Sequence, residues 1–376
     1  MTTTTKLNYV PGNRVATLLN AVEAYPVMLR AIHNATTSIY IAHFCYQKGK
    51  ASDLFYQPLL TAARRGVKIY LLIDAYGSNE FDRNQLKKMR LDHINVRWFN
   101  PRKTLHPLRY NKRMHKKLLI IDNSIGFSGG IGIADFWLDD PSYPEPWRDT
   151  HFQLEGPVIS ELSHSFITSW NRFSSEQLPL QKAEPAPVHG GTIPLALVDT
   201  APIDPANRSN ITNVFTRLIG EAKGSIDIST AYFGPTAAVR RSLHAAAKRG
   251  VSVRIITNGP HPSHWQAMQA GRHHYNGLLE AGVDIFEYQR TKIHAKITII
   301  DRTLSIIGSS NLNTRSFHHD EEAIMVADDM KLATGLTKQF EDDLESSKPI
   351  ELKEWRQRPL TEKLQQAAAS IGRYFF

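Results

Sequence analysis

One spacing of residues, His-x-Lys-x4-Asp-x6-Gly, occurs twice in this chain of 376 residues. The two copies consist of His115, Lys117, Asp122 and Gly129, and of His294, Lys296, Asp301 and Gly308. If each residue type fills about one position in twenty, the His-Lys-Asp spacing arises by chance roughly 0.05 times in a chain of this length, and twice roughly a thousandth of the time. The repeat therefore indicates a duplicated design.

Similar flanking segments extend the repeat beyond the two motifs. The first half contains TTSIYIAHFCY and LLTAARRGVKIYLLID, and the second contains KGSIDISTAYF and LHAAAKRGVSVRIITN. The alternating segments predict strands, the Ala-rich segments ending in glycine predict helices, and the Val-led segments predict further strands. This β-α-β order predicts an α/β fold with a mixed, largely parallel sheet in each half.

Prolines and glycines concentrate between the two halves. Six of the 20 prolines lie between residues 178 and 206, and this composition predicts an extended connector without helix or strand. We therefore predict a first domain over residues 1–177, the connector over 178–206, a second domain over 207–347 and an amphipathic C-terminal segment over 348–376.

The C-terminal segment carries an apolar stripe at helical spacing. Its members are Leu360, Leu364, Ala367, Ile371 and Phe375. Such a stripe either lies in a membrane interface or packs against its own domain, and the residues leave both interpretations open.

Charge and composition limit the classes of partner. The chain has 45 Lys and Arg against 36 Asp and Glu, a net charge of +9, which favours nucleic acid, anionic lipid surfaces or phosphorylated substrates. Its single cysteine, Cys45, excludes an intramolecular disulfide and a multi-cysteine metal site. The N-terminus lacks a signal-peptide pattern, and no apolar run approaches the roughly 18 residues of a membrane span. We therefore expect a cytoplasmic protein whose membrane contact is peripheral.

The alternation of side chains along a strand separates the motif residues into two groups. His115 and Lys117 share one strand face, as do His294 and Lys296, because side chains at i and i+2 point the same way. Asp122 lies an odd number of residues from its histidine and points to the other face. It is therefore expected to be a structural carboxylate, and the same holds for Asp301.

Two His-Lys pairs are suited to a phosphodiester. A metal site is disfavoured because an ammonium group repels the cation and does not ligate it, so we expect no metal and no cofactor. Two ammonium groups neutralise a phosphate, and hydroxyl and amide groups add hydrogen bonds. One histidine attacks phosphorus while the other protonates the leaving alcohol and later activates the acceptor.

The two motifs resemble the paired HKD motifs of the phospholipase D superfamily. GSSN (308–311) resembles the extended second motif, and WRDTHFQLEGPV (147–158) and NLNTRSF (311–317) are similar to bacterial cardiolipin synthases. The resemblance covers residues from about 10 to about 370. It implies a duplicated fold of two α-β-α halves related by a pseudo-two-fold, with the active site at their interface.

The resemblance also implies a role for individual residues inside and outside the two motifs. His115 is expected to be the nucleophile and His294 the general acid and base. Asp149 and Glu322 match the carboxylates that orient the histidines, although Glu321 or Asp320 are alternatives to Glu322. The remaining implied residues are the phosphate-binding Ser309 and Asn311 and the structural Gly129, Gly130 and Gly308.

The implied activity is transfer of a phosphatidyl group from phosphatidylglycerol to the hydroxyl of a second phospholipid, through a phosphohistidine, at the inner face of the bacterial cytoplasmic membrane. The same chemistry also serves a phospholipase D-type hydrolase or a nuclease, and a non-catalytic binder of lipid or nucleic acid is a further alternative. Acceptor, acyl preference and oligomeric state stay open.

Three local features stand apart from the motifs. The first motif continues with Gly132 where the family usually has asparagine, which leaves room for a larger head group or for a water. The insert ADFWLDDPSYPEPW (134–147) is either a wall or lid beside the site or a rigid surface loop without a role. The segment 100–117 carries seven Lys and Arg and is either a guide for an anionic substrate or a solvated loop.

Overall fold

The structure, a computed structural model, describes residues 6–101, 111–141, 143, 145–180, 188–201, 210–261 and 264–372. The chain forms two compact units. The amino-terminal unit consists of Asn8–Leu197 together with Glu321–Ala323. The carboxy-terminal unit consists of Met1–Leu7, Val198–Asp320 and Ile324–Phe376. Residues 102–110, half of the basic segment 100–117, lie outside the described residues.

The amino-terminal unit is built on one mixed sheet. Its strands are β1 (Val10–Leu19), β2 (Ser38–His43), β3 (Lys68–Asp74), β4 (Asn95–Phe99), β5 (Arg113–Met114), β6 (Lys117–Ile121), β7 (Ile125–Gly129), β8 (Thr150–Glu155) and the first part of β9 (Ile193–Thr200). Its helices are α1 (Asn20–Asn34), α2 (Lys50–Arg64), α3 (Arg83–Leu91) and α4 (Val158–Phe173). The strand order is β9-β1-β8-β7-β6-β2-β3-β4.

Helices cover both faces of this sheet, because β2 and β3 are apolar on both sides. Ile39 and Ile41 join the core formed with α1 and α2. On the opposite face the Tyr40 ring stacks on Phe166 of α4, with 5.0 Å between ring centroids. Tyr70 packs edge-on against Trp170 of the same helix. The motif strand β6 therefore lies inside a sheet that is buried on both sides.

The carboxy-terminal unit repeats this design. Its strands are β10 (Ser225–Thr230), β11 (Ser252–Asn258), β12 (Asp284–Tyr288), β13 (Lys296–Ile300), β14 (Leu304–Gly308), β15 (Asp320–Asp328) and β16 (Ser347–Pro349). Its helices are α5 (Asn210–Glu221), α6 (Ala237–Lys248), α7 (Trp265–Arg272), α8 (Tyr275–Ala281), α9 (Thr314–His318), α10 (Met330–Glu345), α11 (Leu352–Gln357) and α12 (Leu360–Ile371). The strand order is β16-β12-β11-β10-β13-β14-β15.

The predicted duplication is confirmed by matching β-α-β units. Strands β2 and β3 run parallel around α2, as β10 and β11 do around α6. Both helices end in an Arg-Gly pair whose glycine, Gly66 or Gly250, has φ near +90°. The preceding Arg65 and Arg249 each donate to backbone carbonyls at the end of the previous helix. The Arg-Gly sequence therefore performs the same capping task in both units.

The sheets differ from the sequence prediction in the extent of their parallel part. Parallel pairing is confined to β2-β3-β4 in one unit and β10-β11-β12 in the other. The motif hairpins β6-β7 and β13-β14 pair antiparallel, both within themselves and with their neighbours. The reason is that each motif strand is followed by a tight turn and not by a crossover helix.

The prediction that the connector contains no strand was wrong. Residues Ile193–Thr200 form β9, which pairs antiparallel with β1 through Val10 opposite Leu195 and Asn13 opposite Ile193. Pro194 is only the second residue of the strand, where the loss of one N–H donor is tolerated. The proline content of the connector therefore led the sequence prediction to miss β9. Within the described residues, none of the helices is long and apolar enough to cross a bilayer.

Candidate active site

His115 of the first motif lies between β5 and β6 and is held by the segment Glu321–Ala323. Its backbone N–H donates to the carbonyl of Glu321 at 2.8 Å. Its Nδ1 lies 2.8 Å from Oε1 of Glu322, a carboxylate that is fully buried. The ring of Phe44 packs edge-on against the imidazole, with centroids 5.0 Å apart. Backbone and side chain together define the orientation of this histidine.

The Glu322 contact determines the tautomer of His115. An ionised carboxylate only accepts hydrogen bonds, so the shared proton resides on Nδ1 of the imidazole. A neutral imidazole protonated at Nδ1 carries its lone pair on Nε2. This is the tautomer that a histidine needs in order to attack phosphorus from Nε2.

The neighbouring carboxylates Glu321 and Asp320 have other partners. Glu321 accepts a hydrogen bond from Ser169 Oγ at 2.7 Å and forms an ion pair with Arg172. Asp320 pairs with Arg315 at 2.9 Å. Of the three carboxylates weighed from the sequence, Glu322 is the one whose side chain contacts His115.

A buried polar network on α4 anchors Glu321. Lys116 Nζ donates to Ser165 Oγ at 2.9 Å and to Ser169 Oγ at 3.3 Å, and Ser169 in turn donates to Glu321. Ser165, Ser169 and Arg172 lie on one helical face because they are four and three residues apart. The network therefore fixes the backbone that presents both Glu322 and the acceptor for His115 N–H.

Each motif lysine folds back onto its own histidine. Lys117 Nζ donates to the His115 carbonyl at 2.8 Å, and Lys296 Nζ donates to the His294 carbonyl. His115, His294 and both lysines are almost completely buried. The same contact in both units places an ammonium group next to each histidine, as the shared strand face predicts.

The motif aspartates are caps at the far end of the sheet. Asp122 accepts the backbone N–H groups of Thr36, Thr37 and Ser38, and Asp301 accepts those of Lys223, Gly224 and Ser225. Burial raises the pKa of Asp122, but the hydrogen bonds from the Ser38, Thr37 and Thr36 backbone outweigh it and hold that pKa at about 2. Both carboxylates thus fix the start of a central strand and do not touch their own histidines.

Asp149, one of the two carboxylates expected to orient the histidines, is fully buried in the amino-terminal unit. Trp137 Nε1 donates to Oδ2 at 3.0 Å, and Thr150 N–H donates to Oδ1 at 2.8 Å. A Cβ on Gly130 would lie 2.0 Å from Oδ1, so only glycine leaves room for this carboxylate. The position of the Asp149 carboxylate therefore explains why residue 130, the second of the Gly129–Gly130 pair, is glycine.

Trp137 also explains the departure at Gly132. A Cβ at this position would lie 2.7 Å from Cζ3 of the indole and 3.0 Å from the Cys45 carbonyl. The expected space for a head group or a water is therefore filled by Trp137. The ring belongs to the insert 134–147, where it packs against Phe136 and Trp147. Trp137 of the insert thus forms a wall that supports Asp149, a role that was missed from sequence.

Restoring the usual family residue with Gly132→Asn should destabilise the protein by about 1–3 kcal/mol, because the added side chain collides with the indole. Urea unfolding measures the loss. In a Trp137→Leu background the added cost of Gly132→Asn should be smaller, since the clash with the indole is gone and only the 3.0 Å contact with the Cys45 carbonyl remains. An equal cost in both backgrounds would show that Trp137 is not the obstacle.

The second motif occupies the equivalent place in the carboxy-terminal unit. His294 lies two residues before the start of β13, and Ser309 and Asn311 follow β14, all three buried. Asn311 N–H donates to Ser316 Oγ at 3.3 Å, and Leu312 N–H donates to Thr230 Oγ1 at 3.0 Å. The turn after β14 is therefore tied to neighbouring elements, which gives Ser309 and Asn311 defined positions.

Two further histidines flank Lys117, and sequence reasoning missed both. The register sets His43 of β2 opposite Lys117 and His151 of β8 opposite Gly129. Both rings are fully buried, and among the described residues their nitrogens have no hydrogen-bond partner. A signal was present, because His151 lies two residues after Asp149 at the start of a strand.

The carboxy-terminal unit has different residues at these two positions. Thr230 lies opposite Lys296, and Ile324 lies opposite Gly308. A hydroxyl and an aliphatic side chain thus replace the two imidazoles. The two motifs share their His-Lys pairs, but the side chains next to the motif lysine differ between the two units.

Burial lowers the pKa of His151 to about 3, with a smaller contribution from the Lys117 charge. The pKa of His43 is also well below its usual range, through burial, then His151 and Lys117. Both imidazoles therefore stay neutral wherever the protein is folded near neutral pH.

His151→Ile, which introduces the residue of the second unit, should make the protein less sensitive to acid. The unfolded chain takes up a proton at His151 below about pH 6.5, whereas the folded chain does not until about pH 3. Stability is therefore lost as pH falls through this window, by about 2 kcal/mol between pH 7.5 and pH 5 from this one group. Urea unfolding of wild type and variant at both pH values measures it; equal losses would contradict a neutral His151.

The fold and the motifs define the class of protein. Two α/β units, each with a buried His-Lys pair at the head of a central hairpin, are the architecture of a phospholipase D-like protein. The solved structure of phosphatidylserine synthase from Haemophilus influenzae Rd KW20 shares this fold, with a TM-score of 0.76 over 99% of this chain and 98% of that one, at 12% identity.

Sequence comparison narrows the class. The family described as cardiolipin synthase, PLD-like domain, matches residues 28–135 and 215–344. Cardiolipin synthase A of Pseudomonas putida (strain GB-1) is 30% identical, over 98% of this chain and 76% of the relative. The probable cardiolipin synthase YwiE of Bacillus subtilis (strain 168) is 28% identical, over 97% and 73%. The chain therefore belongs to the cardiolipin synthase family of phospholipase D-like proteins, and the resemblance in its motifs is confirmed.

Proposed function

We propose that the protein is a phosphatidyltransferase of the cardiolipin synthase type. It takes a phosphatidyl group from phosphatidylglycerol, releases glycerol, and transfers the group to the hydroxyl of a second phosphatidylglycerol. The observation that carries the proposal is the His115–Glu322 pair beside Lys117, in a chain that repeats the His-Lys pair at His294 and Lys296 and belongs to this family.

In the proposed first step His115 Nε2 attacks phosphorus of the donor. The N–P bond forms as the P–O bond to glycerol breaks, and His294 gives its proton to the departing glycerol oxygen. Glu322 supports this step because its negative charge stabilises the imidazole ring as positive charge develops on it. The product is a phosphatidyl group on His115.

In the second step the acceptor hydroxyl gives its proton to His294, and its oxygen attacks the same phosphorus. The new P–O bond forms as the N–P bond breaks, which restores both histidines. Lys117 and Lys296 offset the negative charge of the phosphoryl oxygens in both steps, and Ser309 and Asn311 are proposed to add hydrogen bonds. Asp149 is proposed to be the second carboxylate that orients a catalytic histidine, beside Glu322.

The substrate implies a place of action. Phosphatidylglycerol resides in the bilayer, so the protein is proposed to work as a peripheral protein on the inner face of the cytoplasmic membrane. The net charge of +9 supports attraction to an anionic surface.

Incubation of the purified protein with phosphatidylglycerol vesicles tests the proposal. We expect a diphosphatidyl lipid and one glycerol per product, measured by lipid mass analysis and glycerol assay. Phosphatidic acid alone would identify a phospholipase D-type hydrolase. Cleavage of labelled DNA with no lipid turnover would identify the nuclease that the positive charge also suits, and no turnover of either would leave only a binding protein.

A further inference from the structure

Helix α12 (Leu360–Ile371) presents its apolar side to solvent. Leu360, Leu364 and Ile371 are 70%, 62% and 80% exposed, whereas Gln366 and Ser370 are buried. A surface helix usually has the reverse arrangement, with its apolar stripe towards the core. Of the two interpretations of this stripe, packing against its own domain is wrong for these three residues; Phe375 lies outside the described residues.

Polar contacts hold α12 in this orientation. Arg358 donates from Nε and Nη2 to Gln366 Oε1 at 3.1 and 3.0 Å, and Gln366 Nε2 donates to Glu362 at 3.0 Å. The Arg358 guanidinium lies 4.2 Å from the ring centroid of the buried Trp355. The helix also packs along α7 of the same unit. Rolling the stripe inward would break these contacts, so the outward orientation is built into the fold.

The outward side of α12 carries no negatively charged side chain that an anionic surface would repel. Its exposed polar residues, Thr361 and Gln365, are neutral, and the helix's one carboxylate, Glu362, is engaged by Gln366 on the protein side. Residues 348–372 contain five Lys and Arg against three Glu. Trp265, at the start of the neighbouring α7, is 48% exposed, and tryptophan favours the interface between head groups and acyl chains.

We propose that α12 docks the protein on an anionic bilayer. The helix lies in the plane of the interface with Leu360, Leu364 and Ile371 among the acyl chains and the surrounding cations near the head groups. An apolar stripe on a fixed helix, within a segment of net positive charge, is the chemistry that recognises such a surface. The choice of lipid as the partner rests on the proposed function, which places the substrate in the bilayer.

Sedimentation with vesicles tests this docking surface. The full chain carrying Leu364→Glu and Ile371→Glu is compared with a control carrying Thr361→Glu and Gln365→Glu, which adds the same charge to the same helix outside the stripe. On vesicles of phosphatidylglycerol and phosphatidylcholine the stripe variant should bind at least about tenfold more weakly than wild type, and the control should bind more tightly than the stripe variant. Leu364→Trp should strengthen binding, and vesicles of phosphatidylcholine alone should bind more weakly.

Activity on a short-chain phosphatidylglycerol kept monomeric in solution separates docking from catalysis. The stripe variant should retain wild-type turnover of this substrate, since α12 carries none of the proposed catalytic residues. The proposal would be overturned if the stripe variant and the Leu364→Trp variant both bound vesicles with the affinity of the wild type. So would a stripe variant that converts a dimer to a monomer without loss of vesicle binding, because α12 would then be an interface between copies. If the wild-type protein did not turn over the monomeric substrate at all, that result would instead contradict the proposed function.

Discussion

Replacing His115 by asparagine should abolish phosphatidyl transfer, with a loss of about 10⁴-fold or more in turnover. The asparagine amide can still donate to Glu322 from the place of Nδ1, so the site should stay folded. It has no counterpart of Nε2, so the proposed nucleophile is gone. Steady-state turnover of phosphatidylglycerol measures the loss, and a thermal melt verifies folding.

A covalent trap identifies which histidine attacks. A phosphatidyl ester of p-nitrophenol needs no proton on its leaving group, so His294→Asn should still form a phosphoenzyme with it, whereas His115→Asn should not. Quenching in denaturant and mass analysis of the peptides containing each histidine give the answer. A phosphoenzyme that survives in His115→Asn and is lost in His294→Asn would make His294 the nucleophile.

Glu322→Gln should lower kcat by about 10²–10⁴-fold with a small change in KM. A glutamine amide is neutral and can donate as well as accept, so it no longer holds the proton on Nδ1 and no longer stabilises the charge that develops on the ring. The carboxylate is fully buried, so water does not take over its role.

Glu321→Gln is the matched control, since it removes an adjacent carboxylate that belongs to another network. It breaks the ion pair with Arg172 and should cost about 1–3 kcal/mol of stability. A glutamine can still accept from Ser169, and the backbone carbonyl that receives the His115 N–H is unchanged. At a temperature where both variants are folded, Glu321→Gln should therefore keep most of the wild-type kcat. If the two variants lost activity equally, the contact between Glu322 and His115 would have no special role.

The sequence singled out the histidines and lysines because their pattern is local. A strand places i and i+2 on one face, so His-x-Lys alone predicts the shared face and the separate role of the aspartates. The contacts of Asp122 with Thr36, Thr37 and Ser38 agree with that expectation. The duplicated α/β fold followed from periodicity and glycine caps in the same way.

Tertiary structure decided which carboxylate serves His115. Asp320, Glu321 and Glu322 are consecutive acidic residues, and no local pattern separates them. Glu322 reaches His115 across 207 residues of chain, while Glu321 is drawn to Ser169 and Arg172 on α4. That division depends on where a distant helix packs.

Gly132 and the histidines beside Lys117 show the same limit. Sequence could register Gly132 as a departure, but only packing shows that Trp137 fills its space and donates to Asp149. His43 and His151 become neighbours of Lys117 through strand register across β2, β6, β7 and β8. Local spacing therefore singled out the groups that are proposed to react. The orienting carboxylate of His115, the wall beside Asp149 and the outward stripe of α12 depend on contacts between distant segments, which only the folded chain brings together.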